Sequence, residues 1–166
     1  GVQKAAAQYP ITARVIVCAL RHHDAAVNLT LAKIAAKYVD QGVAGFDIAG
    51  DEASYPAGIF AQAFDLAKAS GLGITVHAGE VGDGSGVIEA ITTLGACRIG
   101  HGIHIANRPD LVEKVNEAGV TLEVCPTSNV HTRAVTSLAQ HPIRRLFDHG
   151  VLISLGDDDP TTSGIT

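Results

Sequence analysis

The chain has 166 residues, 46% of them hydrophobic and 17% charged, with a formal net charge of −5. That composition suits one compact domain with a sizeable core and excludes a disordered chain. The Lys and Arg residues are scattered and form no basic stripe, so nucleic acid is not an expected partner, and no apolar run approaches the roughly 18 to 20 residues of a membrane helix.

The N-terminal stretch lacks a basic region followed by an apolar one, so the expected setting is soluble and cytoplasmic. Cys18, Cys97 and Cys125 are odd in number and lie in or beside apolar runs, as reduced, buried thiols do. The chain begins at Gly1 and contains no Met, and the expectation is a segment of a longer polypeptide.

In chain order, the first β-branched run is Ala13 to Leu20, followed by Leu31, Ile34, Ala35 and Tyr38 at the spacing of one helix face. Gly42 marks the stop. A second run, Val43 to Ile48, leads into the polar cluster Asp47 to Glu52, and after Gly71 a third, Gly73 to His77, leads into His77 to Glu80. Val87, Ala90, Ile91 and Leu94 form another helix face that ends at Gly95. Arg98 to Gly100 then runs into His101 to His104. After Gly119, Thr121 to Cys125 enters Pro126 to Asn129. Ile143, Leu146 and Phe147 give a partial face before Gly150, and Val151 to Leu155 ends in Gly156 to Pro160. The repeated unit is helix, glycine stop and buried strand.

Such alternation predicts a parallel sheet, either doubly wound or closed into a barrel. The polar clusters at the C-terminal ends of the last five strands favour the barrel, because that fold gathers all such ends on one face. An open sheet would gather only those near its switch point. A closed barrel needs about eight strands and about 250 residues. The expected fold is therefore α/β, a TIM (β/α)8 barrel, with residues 1–166 forming one partial domain that supplies about strands 3 to 8.

Three clusters carry chemistry. His77 and Glu80 lie three residues apart at one strand end, and His101 sits between two glycines at the next. Asp157, Asp158 and Asp159 are adjacent carboxylates, which repel one another unless water, a cation or donors compensate them. A hydrolytic zinc site needs His nitrogens and a carboxylate oxygen, with one position open for a water whose pKa falls to about 7. His77 and one of the three Asp residues are candidate ligands, too few for a complete site, so further ligands are expected from outside this chain. His104 reads more readily as a packing residue, and His22, His23, His131, His141 and His149 as solvent-facing ones.

The segments His77-Ala78-Gly79-Glu80, Gly100-His101-Gly102 and Asp158-Asp159-Pro160 resemble the signature segments of the adenosine deaminase family, in the family's order and with similar spacing. Asp47 to Glu52 and Cys125 to Asn129 are similar to further segments of it, so the resemblance covers nearly the whole chain. It implies zinc-dependent hydrolytic deamination of adenosine, with 2′-deoxyadenosine as a second substrate, to inosine and ammonia. It implies a small-molecule purine nucleoside as partner and one zinc ion per site. His77 and Asp158 would be zinc ligands, and Glu80 would protonate the ring nitrogen beside the reacting carbon. His101 would orient or deprotonate the attacking water, Asp159 would hydrogen-bond the purine, and Gly50 would approach the ring through its backbone.

The chain also departs from the family. The His-x-His pair of the first barrel strand is absent, which predicts that the chain alone is inactive. Gly156-Asp157 stands where family members commonly carry Asn-Thr, leaving adenine and aminodeoxyfutalosine as alternative substrates. The extra Asp157 leaves the ligand register within the run open, with Pro160 as its anchor. Outside the family, the competing readings are another zinc amidohydrolase and a non-catalytic barrel that binds a ligand. No G-x-G-x-x-G or Walker-type loop supports a nucleotide-binding sheet.

Overall fold

A computed structural model describes residues 2–164. Six strands form one sheet, β1 (Val15–Leu20), β2 (Val43–Ala49), β3 (Gly73–Ala78), β4 (Arg98–His101), β5 (Thr121–Val124) and β6 (Leu152–Leu155). They correspond to the six runs read from the sequence. Every neighbouring pair is parallel, and the order across the sheet is the order along the chain. There is no switch point, so the sheet is an arc of a (β/α)8 barrel, its strands 3 to 8, and not a doubly wound sheet.

The α-helices are α1 (Val2–Ala6), α2 (Ala25–Ala36), α3 (Ala61–Ala69), α4 (Ser85–Leu94), α5 (Pro109–Ala118), α6 (Pro126–His131), α7 (Ile143–Asp148) and α8 (Pro160–Ser163). Helices α2 to α5 touch one another in sequence, and α2, α3 and α4 also pack on strands of the sheet, forming one layer outside it. Phe46, Ile48, Val76, Ile99 and Leu122 are fully buried in the core. The five predicted glycine stops all have positive φ, from 63° at Gly119 to 103° at Gly42. A residue with a Cβ is disfavoured there, so the helices end at these positions.

One helix face differs from its sequence reading. In α2 the buried residues are Asn28, Ala32 and Ala35, whereas Ile34 is 48% exposed and Tyr38, just beyond the helix, 46%. Small side chains let α2 approach the sheet closely, and Asn28 Nδ2 donates to the Leu20 carbonyl at 2.9 Å. Similarly, Leu146 is the buried residue of α7, while Phe147 is 62% exposed.

A polar network lines the inside of the arc across β3 to β6. Thr75 Oγ1 donates to Glu123 Oε2 at 2.9 Å, Arg98 Nε to Glu123 Oε1 at 2.7 Å, and Arg98 Nη2 to Ser154 Oγ at 3.2 Å. This network ties β3, β4, β5 and β6 together and lies below the strand ends, since Thr75 precedes His77 by one full repeat of the strand.

Candidate active site at the strand ends

His77 lies on β3 opposite Gly100 of β4. A Cβ at Gly100 would come within 3.1 Å of His77 Cγ, so glycine gives the imidazole room at this position. The next register pair is Ala78 with His101. Regular alternation would send His101 to the same side as Ala78, toward the helices. Instead His101 has φ 64°, the alternation breaks, and its ring centroid stands 5.3 Å from that of His77. Asp158, just beyond β6, has φ 66°. Ligand atoms of His77, His101 and Asp158 all lie within 4.8 Å of one another.

Glu80 completes the group. Its Oε2 is 3.6 Å from His101 Nε2, and its Oε1 accepts a 2.8 Å hydrogen bond from Thr132 Oγ1. Asp158 Oδ2 is 3.9 Å from the same His101 nitrogen and accepts a 2.7 Å bond from Ser128 Oγ. His77 Nδ1 stands 2.9 Å from Asp47 Oδ2, close enough for an ion pair but without the alignment of a directed hydrogen bond.

Burial disfavours the charged form of His77, yet the Asp47 carboxylate, with Asp158 and Glu80 behind it, outweighs burial and holds the imidazole above its usual value. His101 moves the other way. Burial pulls it below its usual value, Glu80 opposes, and neighbouring His77 adds to the depression.

Two residues brace the turn that carries Glu80. Glu52 Oε1 accepts from the Gly79 N–H at 2.7 Å and Oε2 from the Glu80 N–H at 3.3 Å. Arg21, only 1% exposed, donates through Nη2 to the His77 carbonyl at 2.8 Å and through Nη1 to the Tyr55 carbonyl at 2.5 Å. The bracing roles of Arg21 and Glu52 leave no signal in the sequence, because both act on backbone atoms far away in the chain.

Gly50, with φ 110°, borders a cavity of ≈ 120 Å³ together with His77 and Glu80. A second cavity, ≈ 280 Å³, is lined by Glu80, His104, Thr132 and Arg133. His104 thus borders the site. Asp159 stands apart from the His77 and His101 group, because its carboxylate caps α8 by accepting from the Thr161 and Thr162 amides and the Thr162 hydroxyl. His22, His23, His131 and His149 are exposed. His141, read from the sequence as solvent-facing, is buried at 8% exposure. Its Nε2 is 3.1 Å from Asn129 Oδ1, and Asn129 Nδ2 is 3.1 Å from His101 Nδ1. No helix among the described residues is long and apolar enough to cross a membrane.

The profile of the family described as Adenosine deaminase matches residues 1–166. An adenosine deaminase of Clostridium acetobutylicum is 38% identical over 166 residues, covering 100% of this chain and 49% of that protein. Among solved structures, an adenine deaminase from Arthrobacter aurescens superposes with a TM-score of 0.89 at 29% identity, covering 98% of this chain and 50% of that one. An amidohydrolase from Burkholderia ambifaria, solved with bound Zn, superposes with a TM-score of 0.90 at 28% identity, covering 99% of this chain and 46% of its own. The chain spans about half the length of the curated relatives it matches.

Proposed function

Since this chain belongs to the adenosine deaminase family, we propose that the full-length protein hydrolyses adenosine, and 2′-deoxyadenosine, to the inosine form plus ammonia in the cytoplasm, with one zinc ion. The observation that carries this reading is the meeting of His77, His101, Asp158 and Glu80 at the C-terminal ends of β3, β4 and β6. The His77 imidazole and the Asp158 carboxylate are donors of the kind that suit zinc. Asp47 at His77 Nδ1 leaves Nε2 as the nitrogen for a metal, in the manner of a carboxylate that orients a ligating imidazole. His77 and Asp158 would hold the ion, with the remaining ligands supplied from outside these residues. Bound zinc would polarise and acidify the attacking water.

The chain's own residues would do the rest. Glu80, fixed through its backbone by Glu52 and through its side chain by Thr132, would protonate the purine ring nitrogen beside the carbon under attack. His101 would hold the attacking water on one side of that carbon. Gly50, at the rim of the smaller cavity, would let the ring approach the backbone. Asp159 would hydrogen-bond the purine, a role that requires it to share or leave its present contacts with Thr161 and Thr162.

Adenine is the second substrate reading, favoured by the superposition on an adenine deaminase. The test is ammonia release by the full-length protein from adenosine, adenine and aminodeoxyfutalosine, with and without a zinc chelator, beside His77→Ala. Chelator-sensitive release from adenosine that His77→Ala lacks supports the proposal. Preference for another purine replaces the substrate and keeps the chemistry. A folded, zinc-loaded protein that turns over none of the three overturns the deaminase reading.

A further inference from the structure

Four groups form a continuous buried chain that ends at the site. Ile143 N–H donates to His141 Nδ1 at 3.1 Å, His141 Nε2 stands 3.1 Å from Asn129 Oδ1, and Asn129 Nδ2 stands 3.1 Å from His101 Nδ1. Asn129 is fully buried and His101 is 2% exposed, so water does not compete for these contacts. The polarity of the whole chain follows from its first member. A backbone N–H can only donate, so His141 Nδ1 must be the acceptor and carry a lone pair. Neutral His141 then bears its proton on Nε2 and donates it to Asn129, which must present its oxygen on that side. The amide is thereby oriented, and its NH₂ faces His101 Nδ1. His101 Nδ1 in turn becomes an acceptor. Burial, which lowers the His141 pKa, agrees with a neutral ring.

We propose that Asn129 and His141 are positioning residues that lock His101 in the tautomer with its proton on Nε2, so that His101 donates a hydrogen bond into the site and neither ligates the metal nor acts as a base. One observation independent of the chain agrees, and the chain's own polarity carries a further consequence for metal ligation. Two carboxylate oxygens, Glu80 Oε2 and Asp158 Oδ2, stand 3.6 and 3.9 Å from His101 Nε2. A metal-ligating imidazole usually donates from its second nitrogen to a carboxylate or carbonyl. His101 meets a donor there, the reverse of that arrangement. His77, with the Asp47 carboxylate beside Nδ1, has the ligand-like surroundings that His101 lacks. Within the deaminase reading, on which its kinetic consequence rests, the inference divides the roles. His101 would orient the attacking water by donating to its oxygen, and another group must take that water's proton.

The test is the nitrogen NMR spectrum of the full-length protein labelled with ¹⁵N-histidine, in which the coupling pattern of each ring reports which nitrogen carries the proton. His101→Gln assigns its signals by their disappearance. The expected wild-type result is His101 protonated on Nε2, with and without zinc, and a zinc-induced shift at His77 that far exceeds the one at His101. Asn129→Asp replaces the donor facing Nδ1 by an acceptor, and should move the His101 proton to Nδ1 while lowering kcat roughly 10- to 100-fold with little change in KM. His141→Gln, whose amide can still donate to Asn129, should keep the Nε2 proton, whereas His141→Leu should lose the single tautomer. A wild-type His101 protonated on Nδ1, or a direct zinc bond to its Nε2, overturns the inference even if every variant misfolds. A wild type with the expected tautomer but no ammonia release from any purine supports the tautomer assignment and removes the deaminase reading, so the two can fail separately.

Discussion

Ser128 Oγ donates a 2.7 Å hydrogen bond to Asp158 Oδ2, joining the first turn of α6 to the carboxylate that follows β6. Asp158 sits in a left-handed conformation on a loop, so this bond is its main side-chain restraint. A carboxylate that loses such a partner is less well aimed at a metal. Ser128→Ala should weaken zinc retention by roughly 10-fold or more while leaving the melting curve of the zinc-free protein nearly unchanged. Dialysis against a graded zinc buffer, followed by metal analysis, measures it.

Glu80→Gln keeps the shape of the side chain and removes its acidity. Thr132 can still donate to the amide oxygen, so the loop should stay in place. Loss of a positioned general acid lowers turnover by about 10²- to 10⁴-fold. The expected result is a fall of that order in kcat, with zinc content unchanged. A variant that loses its metal along with its activity would show that Glu80 supports the ion and not the proton transfer.

Arg21 joins the end of β1 to the carbonyls of Tyr55 and His77, so it should matter for stability more than its distance from Glu80 suggests. Arg21→Ala leaves both carbonyls without a donor, at about 1–3 kcal/mol for each that stays buried. Urea unfolding should shift to a lower midpoint by a matching amount. Arg21→Lys should recover only part of this, because one ammonium lacks the planar fork that reaches two acceptors.

The pH dependence of stability should carry the mark of His141. Its folded value lies below the ordinary 6.5 because burial disfavours the charged ring, and protonating Nδ1 would also break the bond from Ile143 N–H. The unfolded chain therefore binds this proton more readily than the folded one. The sign is fixed by that difference: the contribution is fully present above 6.5 and is lost as pH falls from there through the folded value. Thermal melts of wild type and His141→Gln should run parallel above that point, with wild type falling more steeply below it. Parallel curves throughout would remove the assignment.

Most of the fold is legible in the sequence because its signals are local. β-branched runs of strand length and glycines at helix ends need no knowledge of distant partners, and all six strands and five stops follow from them. The buried face of α2 was hidden because Ala32 and Ala35 carry it, while the larger Ile34 and Tyr38 dominate the hydrophobic pattern and point outward. At the site, His77, Glu80, His101 and Asp158 could be found from their strand-end positions. His141 could not, since its partner Asn129 lies 12 residues away and His101 another 28 beyond that, with no periodicity linking the three. Arg21 and Glu52 were missed for the same reason. Each recognises backbone atoms, and the identity of the residues they hold leaves no trace in the side-chain pattern.

His101 and Asp158 occupy backbone conformations in which a side chain costs of order 1–3 kcal/mol and glycine very little. A pooled library of single substitutions at these two positions should therefore separate according to how it is sorted. Survivors chosen only for resistance to heat would fill with glycine at both, while survivors chosen for turnover would keep His and Asp. The molecule holds these two codons against the pull of its own fold, so the enrichment ratio between the two sorted pools would measure how strongly chemistry and durability compete at these two strand ends.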